Sequence, residues 1–209
     1  MPYSEEHKQR TREKILKSAL ELFSRHGFDA VSIDDLMADA GLTRGAFYAH
    51  FRSKSEVYAE AITSAVSLRR LSEWQDKGEG QGHWLKELLL GYLSHEHVAM
   101  EVSPCPLAFF STDVANRDEA VRHAYTSVYA GLNRMLTRIL GHATSDGDEA
   151  IADHVLAATA MMIGGISIAR ALDDPQLADR LLNSCREHSE AILATGSRSR
   201  KGRRTATVG

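Results

Sequence analysis

Cysteine and proline are both scarce in this chain: 209 residues include two cysteines and four prolines. Two thiols, Cys105 and Cys185, cannot make a disulfide scaffold and fit a reducing compartment, so a cytoplasmic protein is expected. Long apolar runs are missing too. The longest stretch without a charge, 155–169, has 15 residues, short of the ~20 that cross a bilayer as a helix. The N-terminal stretch is charged and lacks the apolar core of a secretory leader. Alternating polar and apolar segments are absent, as are internal repeats, which removes β and solenoid folds. Catalytic signatures are missing as well: there is no Gly-x-Ser-x-Gly, no Walker loop and no His-Glu-x-x-His. His95-Glu96-His97 places two histidines two residues apart, on different faces of a helix, whereas a helical metal pair wants i, i+4. No metal, cofactor or enzymatic activity is expected.

Nor is charge of one sign in excess. Lys+Arg 25 against Asp+Glu 28 gives −3, a total that argues against a polyanionic partner. Its distribution removes that argument. Residues 1–57 carry nine basic and nine acidic side chains, 58–197 carry eleven and nineteen, and 198–209 carry five cations and no acid. Such asymmetry says more about partners than the sum does. It also outlines the expected domains: a head over 1–57, a helical body over 58–197, and a basic tail over 198–209 with too few apolar residues to fold.

What is present is helical periodicity from end to end, about nine helices in all. A first helix is predicted over 11–26, with Ile15, Ala19, Leu22 and Phe23 on one face and Gly27 as its left-handed stop. Ser32 and Asp35 form a capping box that opens a short helix striped by Ile33, Leu36, Met37 and Ala40. Gly41 ends it, and Thr43 can cap a third helix over 44–50 with Ala46, Phe47 and Phe51 as its apolar residues. Ser53 and Glu56 form a second box that launches a long helix to about residue 76. Two short helices around a tight glycine turn have helix-turn-helix spacing, although a plain packing hairpin has it too. The outward residues decide for the former. Thr43, Arg44, Gly45, Tyr48 and His50 are polar, small or hydrogen-bonding, as a helix lying in a major groove requires.

The core Phe47-Tyr48-x-His50-Phe51-x-x-Lys54, preceded by a helix ending Phe23-x-x-x-Gly27-Phe28, resembles the TetR family of bacterial transcriptional regulators. The likeness covers about the first 60 residues. It implies an all-α protein: a three-helix helix-turn-helix DNA-binding domain followed by a helical ligand-binding and dimerisation domain. It further implies a homodimer on palindromic operator DNA, released by a small-molecule inducer. By position, Thr43, Arg44, Gly45 and Tyr48 face the groove, while Tyr48, His50 and Lys54 lie on the phosphate side. Physically, Arg44 can hold a guanine by two hydrogen bonds, worth ~1–3 kcal/mol of discrimination. Gly45 allows close backbone approach, and Lys54 adds charge to a helix N-terminus. Lys8, Arg10, Arg12, Lys14 and Lys17 could extend the contact as an arm. Because the head sums to zero, Glu21, Asp29, Asp34 and Asp39 would have to face away from the groove.

In the body, helices are expected over 84–100, over about ten residues after Pro104-Cys105-Pro106, from a cap at Asn116 and Glu119 to 140, over 149–172, and after an Asp174 cap with Pro175 at the first helical position. Glycines at 78–82 make a joint and 145–148 a turn. The last two helices offer a dimer surface. On one, Ala157, Ala160, Met161, Gly164, Gly165 and Ile168 form a small-residue face; on the other, Leu177, Leu181, Cys185, His188 and Ile192 repeat at three-to-four spacing. A bundle between two subunits would bury both stripes, and so would the subunit's own core. The ligand pocket implied by the resemblance could draw on Trp84, Tyr92, Met100, Phe109, Phe110, Tyr125, Tyr129 and Met162. Cys105 would sit at a helix N-cap, where the dipole activates a thiol, so a thiol-reactive inducer is one form of the expectation. A DNA-occluding architectural factor without inducer, or a helical enzyme, are the alternatives.

Overall fold

The computed structural model describes residues 5–65, 81–140 and 151–203. The expected end of the fourth helix, most of the glycine joint and the 145–148 turn lie outside them. Among the described residues there are helices and no strand. In chain order these are α1 Glu5–Ala30, α2 Ile33–Asp39, α3 Arg44–Phe47, α4 Lys54–Ala65, α5 Gln81–Tyr92, α6 His95–Val98, α7 Pro106–Phe109, α8 Ser111–Val114, α9 Glu119–Ile139, α10 Asp153–Ala171 and α11 Pro175–Arg203. They form two compact units: Met1–Ser67 with Ser103–Val128, and Leu68–Val102 with Tyr129–Gly209. The first unit is thus larger than the head expected over 1–57, because α7, α8 and the start of α9 fold with it.

Local chemistry accounts for the first unit's outline. Gly27, at φ 77°, breaks the regular run of α1 where a left-handed residue was expected. Asp35 N donates to Ser32 Oγ at 3.1 Å and Ser32 N to Asp35 Oδ2 at 2.8 Å, the reciprocal capping box. Gly41, at φ 68°, closes α2. α3 is a single turn, shorter than the predicted 44–50, and Thr43 caps it without a side-chain hydrogen bond. Its last carbonyl, Phe47 O, instead accepts from both His50 N and Phe51 N. Glu56 N donates to Ser53 Oγ at 3.1 Å, while the Glu56 carboxylate turns back to Arg52 N. Ile15, Phe23, Leu36, Phe47, Phe51 and Tyr58 fill the core, and Phe110 from the 103–128 segment stacks on Tyr58 at 4.7 Å between ring centroids.

Three helix assignments are corrected by the structure. The helix expected over 84–100 breaks at Ser94, whose Oγ accepts from His97 N at 3.2 Å and starts α6. Leu93 O, left at the break, accepts from Arg186 at 2.7 Å. After Pro106 there are two single turns rather than one helix, divided at Phe110 (φ −109°). The cap of α9 is Asp118, whose Oδ1 accepts from Val121 N at 3.0 Å, and not Asn116, which lies two residues too early.

In the second unit α10 and α11 pack along each other, with α5 against α11 and α6 against α10. Gly165 makes the close approach possible: a Cβ there would stand 3.0 Å from Leu93 Cδ2 and 3.1 Å from Cys185 Sγ. α10, 19 residues long, is apolar enough to cross a membrane by length and composition. Its Val155, Ala158, Met162 and Ile166 are instead buried in the unit, as a central helix requires. Asp174 Oδ1 accepts from Gln176 N and Leu177 N, capping α11 ahead of Pro175 as predicted. α11 runs to Arg203, six residues into the tail expected to lack structure. Residues 204–209 lie outside those described.

The two histidines of the His-Glu-His stretch differ in environment. His95 is exposed and pairs with Asp179, whereas His97 is buried with Nδ1 2.6 Å from Tyr92 O. Burial pushes the His97 pKa down, opposed by the bond to Tyr92. The unfolded chain therefore binds this proton first. Stability is complete above the ordinary histidine range and falls as pH drops below ~6.5, by at most ~1.4 kcal/mol per pH unit, until the folded imidazole itself titrates. Thermal melts at pH 7.5 and 5.5 should show that loss, and His97→Gln should flatten it. His50, shifted the same way in the first unit, leaves a residual slope. An undiminished slope in His97→Gln would rule the assignment out.

Candidate nucleic-acid interface

The single turn of α3, from its N-cap Thr43 to its C-cap Tyr48, carries the groove-facing residues singled out in the sequence. Thr43, Arg44, Gly45 and Tyr48 are all exposed, Tyr48 to 59%. Beneath them Phe47 is fully buried, with the Tyr48 ring edge-on to it at 5.2 Å. A large amphipathic ring left in water on a buried aromatic footing is primed for a partner. Gly45 has open space around the position a Cβ would take. Nothing inside the fold demands glycine there, so its use must be sought outside.

Lys54 and His50 are placed differently. Lys54 Nζ donates to Phe28 O and Val31 O, both at 2.8 Å, and lies 4.2 Å from the Phe28 ring centroid. It therefore braces the chain between α1 and α2, with one donor left over. His50 is half-buried, and its Nδ1 has no hydrogen-bond partner. Burial, with Arg12, Lys8 and His7 nearby, holds its pKa below the ordinary range, so at neutral pH it brings no charge to a phosphate.

The N-terminal cations divide as well. Lys8, Lys14 and Lys17 are exposed, and Arg10 pairs with Glu6 on the surface. Arg12 is used internally: it donates to His50 O at 2.6 Å, pairs with Glu60, and lies over Phe51 at 4.2 Å. Of the acids expected to avoid the groove, Asp29 is drawn off by Arg117, with two hydrogen bonds of 2.9 and 2.8 Å. Asp34 is not drawn off. Its carboxylate pairs with Arg44 on the exposed surface.

Sequence reading missed the network that anchors the C-terminal end of α1. Asp113 in α8 accepts from Phe28 N at 3.2 Å, from Tyr58 OH at 2.8 Å and from Arg117 at 2.9 Å. Burial and then the Asp113 carboxylate push the Tyr58 pKa up, so the phenol stays protonated and donates. Only the i, i+4 spacing of Asp113 and Arg117 was visible in advance.

The expected ligand-lining residues fall into both units. Phe110 is spent in the core of the first, where Tyr125 OH donates to Leu107 O at 2.7 Å. Cys105 and Phe109 are half-buried there. Trp84 and Met162 are buried in the second, while Tyr92, Met100 and Tyr129 are half-buried. Cys105 does hold the N-cap of α7 ahead of Pro106, with no side-chain cap bond. A shallow depression lined by Asp118, Glu119, Ala120, Arg122, His123 and Thr126 includes none of these residues. The expected dimer stripe is largely uncovered: Ala157 and Ala160 are exposed, Met161, Gly164 and Leu181 half-exposed, and Ile168 and Leu177 exposed to 52% and 44%. His188 is exposed too, its Nδ1 2.8 Å from Ser184 O. Gly165 and Cys185 are the exceptions. They meet each other inside the subunit, where burial raises the thiol pKa.

Comparison with known proteins gives this geometry a context. The family model for bacterial regulatory proteins of the tetR family matches residues 15–61. Over 52 residues the chain is 46% identical to the HTH-type transcriptional regulator AcrR of Shigella flexneri, covering 25% of this chain and 24% of that one. It is 27% identical over 150 residues to the HTH-type transcriptional regulator YfiR of Bacillus subtilis, covering 69% and 71%. The chain thus spans about a quarter of the length of the first curated relatives it matches. Among solved structures, reduced NemR of Escherichia coli superposes with TM-score 0.68 at 21% identity over 88% of this chain and 96% of that one. A TetR-family regulator from Agrobacterium tumefaciens gives 0.69 at 19% over 87% and 98%. These last identities speak for the fold alone. Residues 15–61 thus match the family model for bacterial regulatory proteins of the tetR family, and the all-helical fold is one shared with TetR-family regulators.

Proposed function

We propose that the chain is a dimeric DNA-binding transcriptional regulator, a repressor that leaves palindromic operator DNA when a small molecule or a thiol-reactive compound engages its body. The observation that carries this reading is the exposed cluster Thr43, Arg44, Gly45 and Tyr48 along α3 and its two caps, with the Tyr48 ring edge-on to buried Phe47. In a major groove Arg44 would read a base edge and Tyr48 would meet a phosphate. Lys8, Lys14 and Lys17 would add charge, and Lys54 would act chiefly by bracing the turn behind α2. Residues 1–57 act as the reading head and 58–197 as the body. Release requires an inducer with different affinities for the two conformations; Cys105 and the half-buried Phe109 and Tyr125, all of the first unit, are its proposed contacts.

The test is binding to duplex DNA. Wild-type log affinity should fall linearly with log salt, at about −0.9 per neutralised phosphate. Tyr48→Ala should weaken binding ~10-fold or more with little change in melting, because the ring is 59% exposed and its internal contact is the edge-on one to Phe47. A flat salt response, or equal affinity for both proteins, would refute the reading face.

Dimerisation through α10 and α11 has its own check. Ile168→Glu would place an unpaired charge in the interface, so sedimentation should show the dimer weakened ~100-fold or more at unchanged helicity. A dimer as tight as wild type would exclude this surface.

A further inference from the structure

We propose that Asp34 is a specificity-determining residue of the DNA-reading surface, holding the Arg44 guanidinium in place for a base edge while repelling phosphate. The inference rests on the reading of α3 as the groove helix. It starts from an acid where a DNA-binding surface should have none. Asp34, in the first turn of α2, pairs through Oδ2 with Arg44 NH1, and both side chains are more than half exposed. Three other acids of the head have partners of their own: Asp29 serves Arg117, Asp35 serves the Ser32 cap, and Glu56 serves Arg52 N. The Asp34–Arg44 pair serves no internal end. It buries nothing, and an exposed ion pair adds little to stability.

The pair does make sense as a device for reading. Arg44 opens α3, a single turn, and Thr43 before it supplies no side-chain bond to order that turn. A carboxylate from the neighbouring helix restrains a long, rotamer-rich side chain. The contact takes only NH1. The Nε–NH2 edge stays open, and its two parallel donors match O6 and N7 of guanine. Restraint before binding lowers the entropy lost on binding. The same carboxylate has no donor to offer a phosphate, so it penalises any pose in which Arg44 turns from the base to the backbone. Asp34 thereby trades non-specific attraction for discrimination, which suits a head whose charges sum to zero.

The experiment uses the full chain and duplexes recovered with it from a random-sequence pool. Affinities of wild type, Asp34→Asn, Arg44→Ala and the double variant are measured for the selected duplex, for its single-base-pair variants and for the unselected pool. Asp34→Asn should bind the pool more tightly and lose ~10-fold of the preference for the selected duplex, focused on one guanine per half-site. In the Arg44→Ala background it should cause no further loss at that guanine. Circular dichroism should be unchanged, since Asp34 is exposed. An unaltered preference in Asp34→Asn, or an equal loss with and without Arg44, would overturn the proposal while leaving DNA reading intact. A wild-type protein that enriches no duplex would overturn both.

Discussion

Truncating Phe47 to alanine should cost ~3–5 kcal/mol of stability, the range for deleting a buried aromatic ring. Phe47 is fully buried, packs edge-on to Tyr48 at 5.2 Å and lies 5.9 Å from the Phe51 ring. α3 is a single turn. A helix that short has no stability of its own, so its position depends on this one side chain. The measurement is chemical denaturation of the variant. Operator affinity should fall with the folded population, and Phe47→Leu should recover most of both. The contrast with Tyr48→Ala is diagnostic, since that change should remove affinity and change melting little. A Phe47→Ala protein as stable as wild type would mean that α3 is held by something else.

The second large effect is expected at Asp113. Its carboxylate satisfies Phe28 N, Tyr58 OH and Arg117 together. Alanine there would leave the fully buried Tyr58 hydroxyl and a main-chain donor at the end of α1 unpaired, at about 2–4 kcal/mol. Arg117 would lose less, because Asp29 remains. Adding Tyr58→Phe removes one orphaned donor, so the double variant should regain part of the loss. If Tyr58→Phe and Asp113→Ala instead add as independent changes, the hydroxyl–carboxylate bond contributes nothing. Because the network anchors Phe28, next to Gly27, Asp113→Ala should also loosen the turn that carries α2 and weaken operator binding, although Asp113 itself faces no DNA.

The head was readable because its signals are local. Gly27, the Ser32–Asp35 box, Gly41 and the Ser53 cap each act over four residues or fewer, and all appear where spacing put them. Errors arose where two local signals competed. Ser94 interrupts an apolar stripe that periodicity carried straight through, because a serine hydroxyl can start a new helix as readily as it can ride on an old one. Asn116 is a good capping residue by type, but the helix starts at Glu119, which leaves the cap to Asp118. Lys54 was read as a phosphate contact from its place at a helix N-terminus. Two carbonyls 26 and 23 residues earlier take two of its three donors.

By itself, the sequence determined the helical class, the helix-turn-helix spacing and which side chains around α3 stand exposed. Those follow from periodicity and capping, whose range is a turn or two of chain. Only the tertiary structure decided how the charges are spent: Arg12 and Lys54 turned inward, Asp29 tied to Arg117, and Asp34 left beside Arg44. Those pairings join residues 10 to 88 positions apart. A charge carries no mark of its partner along the chain, and a guanidinium fits a carboxylate, a carbonyl or an aromatic face equally well. Packing of the elements brings one of these within reach, and that choice separates cations that brace the fold from those left for DNA.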